Sequence, residues 1–177
     1  MGNAQQILDQ VGIDRILKRM VYEILEVHKK TDQLALIGIH TRGVYLAHRL
    51  QKQIEAVDGA QLPTGEIDIT LYRDDWTQKS AQPVVKTTDI AFSVDDRQII
   101  LIDDVLYTGR TVRAAMDALV DFGRPARIEL AVLIDRGHRE LPIQSNYTGH
   151  CVTTKPNEVI NVLLTECDGE DKVVLDA

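Results

Sequence analysis

Asp103 and Asp104 close an apolar run, Ile99-Ile100-Leu101-Ile102, and after Val105-Leu106-Tyr107 comes Thr108-Gly109-Arg110-Thr111. Two adjacent carboxylates can grip the vicinal hydroxyls of a sugar, or a magnesium ion through water. The Thr-Gly-Arg-Thr segment suits an anion instead. Val112, Ala115, Met116, Leu119 and Val120 behind it keep the spacing of one helix face, so Thr108 to Thr111 wrap a helix N-terminus. Backbone N–H groups and the positive end of the helix dipole favour a phosphate there, and the threonine hydroxyls add donors. Carboxylates repel phosphate, so the two halves of the stretch need different partners. Phosphate on the helix and ribose on the acidic pair together describe a ribose 5-phosphate site.

Such a site has to be held by buried elements. An apolar run without alternation suits a strand covered on both faces, as in a parallel sheet. Gly123 stands where a left-handed helix cap is expected, and Pro125 follows as a stop. Leu34 to Ile39 is a second buried strand, ending in His40-Thr41-Arg42-Gly43 before a helix with Val44, Ala47, Leu50 and Ile54 on its inner side. That turn can take a pyrophosphate on its N–H groups, with Arg42 adding charge. Ile128 to Ile134 is a third strand and delivers Asp135-Arg136-Gly137-His138-Arg139. Ligands of open α/β sheets bind at the carboxyl ends of the strands, so the three turns are expected to converge on one pocket.

The remaining chain frames that pocket. From Gln5 to Lys30 the spacing of Ile13, Ile16, Leu17, Met20, Val21, Ile24 and Leu25 predicts one long amphipathic helix, with Arg15, Lys18, Arg19 and Tyr22 on another face. Ile67, Ile69 and Leu71 alternate with Asp68 and Thr70, which predicts a strand running into Arg73. Trp76 to Thr88 is polar and aperiodic, as expected of a mobile lid that excludes water, with Arg73 contributing to a pyrophosphate clamp. Asn146 to Ala177, with an apolar strand near Val159 to Leu164, reads as a small hood over the pocket.

The chain has 177 residues, a length for one domain, and 44% of them are apolar. A net charge of −7 argues against a general nucleic-acid binder, though a local basic patch is compatible with it. Cys151 and Cys167 lack metal-ligand spacing and read as reduced thiols. No apolar run reaches the ~20 residues of a membrane span, and no secretory signal pattern opens the chain, so a cytoplasmic location is expected.

Three segments extend the pattern: DITLYRDD at 68–75, LIDDVLYTGRTVRAAMDAL at 101–119 and IDRGHRELPI at 134–143. The phosphate and ribose stretch resembles the phosphoribosyl pyrophosphate (PRPP) signature of type I phosphoribosyltransferases. The three segments together resemble the PyrR family of uracil phosphoribosyltransferases and pyrimidine-operon attenuators. The resemblance implies an α/β fold, an open and mainly parallel twisted sheet flanked by helices, with a small C-terminal hood and a lid loop. It implies transfer of a phosphoribosyl group from PRPP to uracil, giving UMP and pyrophosphate, with Mg2+ as cofactor.

Residue by residue, it places Asp103, Asp104, Arg42 and Arg73 in catalysis, with Asp103 and Asp104 meeting the metal indirectly. It assigns Thr41, Arg42, Gly43, Val105, Leu106, Tyr107, Thr108, Gly109, Arg110 and Thr111 to PRPP. The uracil falls to Arg136, Gly137, His138, Val152 and Lys155. A structural hydrogen bond or phosphate contact is expected of His138 before a catalytic one. UMP-dependent binding of pyrimidine-operon leader mRNA would use Lys18, Arg19, Tyr22, Arg139 and Lys155. Val27, Gln144 and His150 stand where RNA-binding members are expected to carry basic residues, so a salvage enzyme without RNA regulation is the alternative. A purine transferase would share the PRPP motif and would not be expected to share IDRGHRELPI. Self-association as a homodimer or homotetramer is also implied.

Overall fold

A computed structural model describes residues 4–72 and 87–176. In chain order the elements are β1 (Gln5–Asp9), α1 (Gln10–Val27), β2 (Leu34–Ile39), α2 (Arg42–Asp58), β3 (Thr64–Ile67), β4 (Gln98–Leu106), α3 (Arg110–Val120), β5 (Arg127–Asp135), β6 (Tyr147–Cys151), β7 (Val159–Leu163), α4 (Thr165–Asp168) and β8 (Lys172–Asp176). Five strands form one sheet in the order β3-β2-β4-β5-β6, and every neighbouring pair is parallel. All of β2 is buried, as an apolar run covered on both faces requires. Ile13, Leu17, Met20 and Ile24 of α1 and Leu46, Leu50 and Ile54 of α2 pack on one face; Val112, Ala115 and Leu119 of α3 pack on the other.

The strand order turns at β2 and β4: the chain leaves β2 toward β3 on one side and leaves β4 toward β5 on the other. The β2–β4 ladder stops at Gly38 and Ile102, while the β4–β5 ladder runs on to Leu106 and Asp135. A crevice therefore opens beside Asp103 to Val105, at the switch point where open α/β sheets bind ligands.

Several boundaries differ from the sequence reading. Gln5–Asp9 is a strand, because it pairs with β8; β1, β8 and β7 make a small antiparallel sheet. Helix α1 begins only after Asp9, whose carboxylate accepts from Gly12 N at 2.8 Å, and it ends at Val27, short of Lys30. The predicted strand through Leu71 stops at Ile67. Asp68 Oδ1 accepts from both Thr70 N and Thr70 Oγ1, which bends 70–72 into a 3-10 turn and leaves Leu71 67% exposed. Asp121, in right-handed conformation, caps α3, so Gly123 lies beyond the cap that was expected of it. The predicted hood region contributes β6 to the main sheet. Among the described residues no helix is long and apolar enough to cross a membrane.

Candidate active site

The first turn of α2 lies directly on β4. A Cβ built on Gly43 would sit 2.2 Å from Ile102 O and 3.2 Å from Asp103 Cα, so only glycine admits this approach. The contact places the Thr41-Arg42-Gly43 turn against the acidic pair. The Thr41 side chain makes no cap hydrogen bond to the helix, and the His40–Thr41 peptide is cis. A hollow of about 370 Å³ is lined here by His40, Thr41, Arg42, Asp68, Thr70, Asp103, Asp104 and Thr111. Asp103 and Asp104 belong to β4 itself rather than to the loop after it. Asp103 is buried; its Oδ1 accepts from Asp104 N, and Asp104 Oδ1 accepts from Val105 N, each at 2.9 Å.

The loop after β4 forms a second hollow, about 280 Å³, lined by Val105 to Val112 and Glu140. Gly109 precedes α3 with φ of 92°, a left-handed conformation that side chains disfavour, and Thr108 Oγ1 accepts from Arg110 N at the start of the helix at 3.3 Å. Thr108 O accepts from Glu140 N and Leu141 N, and Glu140 pairs with Arg110 at 2.7 Å, so the 136–141 segment braces this loop. The third hollow, about 390 Å³, is lined by Asp135, Arg136, Gly137, His138, Cys151, Val152, Thr153 and Thr154. Arg136 is buried, lies 4.0 Å over the Tyr107 ring, and donates to Lys155 O, while its Nε has no partner. His138 takes φ of 58°, and its Nε2 meets Thr154 O at 2.6 Å, which commits that nitrogen to donating to a backbone carbonyl. His138 is thus a strut between the two walls of this hollow, in keeping with the structural hydrogen bond expected of it.

Some predicted residues are engaged by partners of the protein's own or lie off the hollows. The Arg42 guanidinium is held by Asp168, through Nε at 3.1 Å and Nη2 at 2.8 Å, instead of reaching into the crevice alone. That guanidinium and Leu164 N together hold the Asp168 carboxyl well down, to about 2. Gly43 is buried beneath the hollow rather than lining it. Lys155 is exposed, and its ammonium lies 3.8 Å from Glu158. Arg139 is turned inward: it pairs with Asp135 and donates to the carbonyls of Tyr107 and Ile143, so it does not present a free charge to RNA. Arg19 pairs with Glu23 and donates to the carbonyls of Thr148 and Gly149, fastening α1 to β6. Lys18 and Tyr22 are exposed, as are Val27, Gln144 and His150. Arg73 and the predicted lid as far as residue 86 lie outside the described residues.

Sequence reasoning missed Asp168, Asp68, Thr70 and Glu140. Asp168 carries no local signal, since it lies 126 residues from Arg42. In the sequence Asp68 and Thr70 look like the wet face of a strand.

The Phosphoribosyl transferase domain family matches residues 3–165. The chain is 57% identical to Bifunctional protein PyrR of Desulfosudis oleivorans over 99% of this chain and 97% of that one. It is 52% identical to Bifunctional protein PyrR of Clostridioides difficile, over 99% of each. In fold it resembles the hypoxanthine phosphoribosyltransferase of Trypanosoma cruzi, with a TM-score of 0.73 and 15% identity over 97% of this chain and 95% of that one. The crevice at the sheet's switch point holds a buried Asp103, a half-buried Asp104 and the start of a helix after a left-handed glycine, and by the domain match and its relatives this chain belongs to the PyrR family of phosphoribosyl transferase domain proteins.

Proposed function

We propose that the chain transfers the phosphoribosyl group of PRPP to uracil, releasing pyrophosphate and forming UMP, and that it binds pyrimidine-operon leader mRNA in a UMP-dependent way. The observation that carries the transferase reading is that the α2 turn, the acidic pair of β4 and Thr111 in the first turn of α3 line one hollow, which shares Val105 and Thr111 with the hollow of the loop before α3. Thr108 to Thr111 hold the 5-phosphate and fix the anomeric carbon. Asp103 and Asp104 hold the ribose hydroxyls and favour the positive charge that grows on the ring as the bond to pyrophosphate breaks. The backbone of Thr41-Arg42-Gly43 receives the leaving pyrophosphate at the start of α2. The base enters the third hollow, where the backbone around Arg136 to His138 and Val152 to Thr154 reads its edge, and N1 of uracil forms the new bond. Rate comes from positioning and electrostatics, with no general base required of His138.

Among the described residues no three His, Cys, Asp or Glu side chains form a metal cage. Two carboxylates beside a polyanion site nevertheless fit Mg2+, which keeps several waters and takes substrate oxygens as ligands. Asp103 and Asp104 would hold that ion, and it would supply charge neutralisation for the departing pyrophosphate.

The RNA half is supported by family membership and by the exposed Lys18 and Tyr22 on α1. Incubation with PRPP, Mg2+ and labelled uracil tests the transferase: UMP and pyrophosphate form in equal amounts, and no UMP would sink it. A filter-binding titration of a leader stem-loop with and without UMP tests the regulator. Binding that ignores UMP would leave a salvage enzyme.

A further inference from the structure

The small sheet is fastened to α2 at two points. Arg49 forks onto Glu166 and Asp171 at distances of 2.6 to 2.8 Å. Arg42, two turns earlier on the same helix, holds Asp168, and this second fastening borders the crevice, since Arg42 lines the hollow with Asp104. Asp168 lies beyond residue 165, where the match to the transferase domain ends. Its carboxylate has further donors: Leu164 N at 2.9 Å and Cys167 Sγ at 3.0 Å, both on Oδ2. Losing Arg42 therefore does not leave Asp168 unpartnered, and the Arg49 fastening keeps the small sheet in place. The pair is only partly screened from water, with side chains 33% and 18% exposed, so a solvent-borne anion can reach the guanidinium.

We infer that Asp168 holds Arg42 in the ligand-free chain as an internal anion, and that pyrophosphate takes its place on the guanidinium when it binds at the α2 turn. The inference rests on the proposed pyrophosphate site. Asp168 is thereby a positioning residue: it acts through Arg42, weakens the hold on pyrophosphate, and takes Arg42 back as the product leaves. A carboxylate and a pair of diphosphate oxygens offer the same two-acceptor edge to Nε and Nη2, which is why one can stand in for the other.

Calorimetric titration of inorganic pyrophosphate with Mg2+ into the full chain tests it. Asp168→Asn keeps an acceptor for Leu164 N and removes the competing charge, so it is expected to bind roughly three- to tenfold more tightly, the range of a partly exposed two-pronged ion pair. In an Arg42→Met background the same change is expected to do nothing. Equal or weaker binding by Asp168→Asn overturns the exchange. Should that variant fold poorly, the Arg42 Nε–H resonance of the unaltered chain decides the matter. It shifts with pyrophosphate if the partners exchange, and stays fixed while the Gly43 amide moves if they do not. Pyrophosphate binding needs no base, so tighter Asp168→Asn binding together with no uracil turnover by the unaltered chain overturns the transferase reading alone. Equal affinities in an active enzyme overturn the exchange alone, and no binding by either protein overturns both.

Discussion

Replacing Gly43 by alanine tests whether the approach of α2 to β4 sets the geometry of the reaction. The new Cβ would lie 2.2 Å from Ile102 O and 3.1 Å from Ile102 C, both backbone atoms of a buried strand that cannot swing aside. A carbon and a carbonyl oxygen approach to about 3.3 Å, so the first turn of α2 has to retreat by roughly 1 Å. Overpacking of this kind costs about 1–3 kcal/mol. In a chain of this size each kcal/mol lowers Tm by about 2–4 °C. The larger effect is kinetic, because the same retreat carries Thr41 and Arg42 away from Asp103 and Asp104. A misplacement of about 1 Å is worth up to about 100-fold in rate. Steady-state assays with PRPP and uracil varied in turn are expected to show that loss in kcat/KM for PRPP, with KM for uracil almost unchanged. A Gly43→Ala protein with a lowered Tm and a kcat/KM for PRPP within about threefold of the original would refute the claim that this contact positions the crevice.

Asp104→Asn keeps the hydrogen bond to Val105 N and removes a charge facing the ribose, so turnover is expected to fall more than tenfold while thermal melting stays in place; unchanged turnover would remove Asp104 from the mechanism. Arg42 holds the Asp168 carboxyl at about 2, and Arg49 holds Glu166 and Asp171 below their usual range. A depressed carboxylate contributes stability above its unfolded pKa, and that contribution fades as pH falls through the folded value. Urea midpoints measured from pH 5 down to pH 2.5 are therefore expected to fall more steeply for the unaltered chain than for Asp168→Asn, and parallel curves would contradict the tether. Lys18→Glu is expected to weaken leader RNA binding and reduce its salt slope by about one while sparing uracil turnover. Arg19→Glu is expected to lower Tm as well, because Arg19 ties α1 to the Thr148 and Gly149 carbonyls. An Arg19→Glu protein as stable as the original would contradict that role.

The ribose phosphate stretch was legible because its signals are local. The Ile99 to Ile102 run, two aspartates and Thr108 to Thr111 all belong to one strand, loop and helix, and each residue's neighbours in sequence are its neighbours in space. Gln5–Asp9 was read as helix because its strand partner, Lys172–Asp176, lies at the other end of the chain. Tyr147–Cys151 has no apolar run to announce a strand; pairing with the fully apolar centre of β5 makes it one. The partners of Arg42 and Arg139 were not legible either, one because it is distant in sequence and the other because a carboxylate four residues away need not pair. A basic residue at a predicted ligand turn looks available for an anion until the carboxylate that claims it, Asp168 or Asp135, is seen in three dimensions.

The most direct test of the account is a single competition reaction, with PRPP and Mg2+ supplied to equal concentrations of uracil and hypoxanthine. UMP is the expected product, with pyrophosphate in equal amount and hypoxanthine left unconsumed, if the hollow at Arg136 to His138 and Val152 to Thr154 takes a pyrimidine. Formation of the purine nucleotide with uracil left untouched would contradict it.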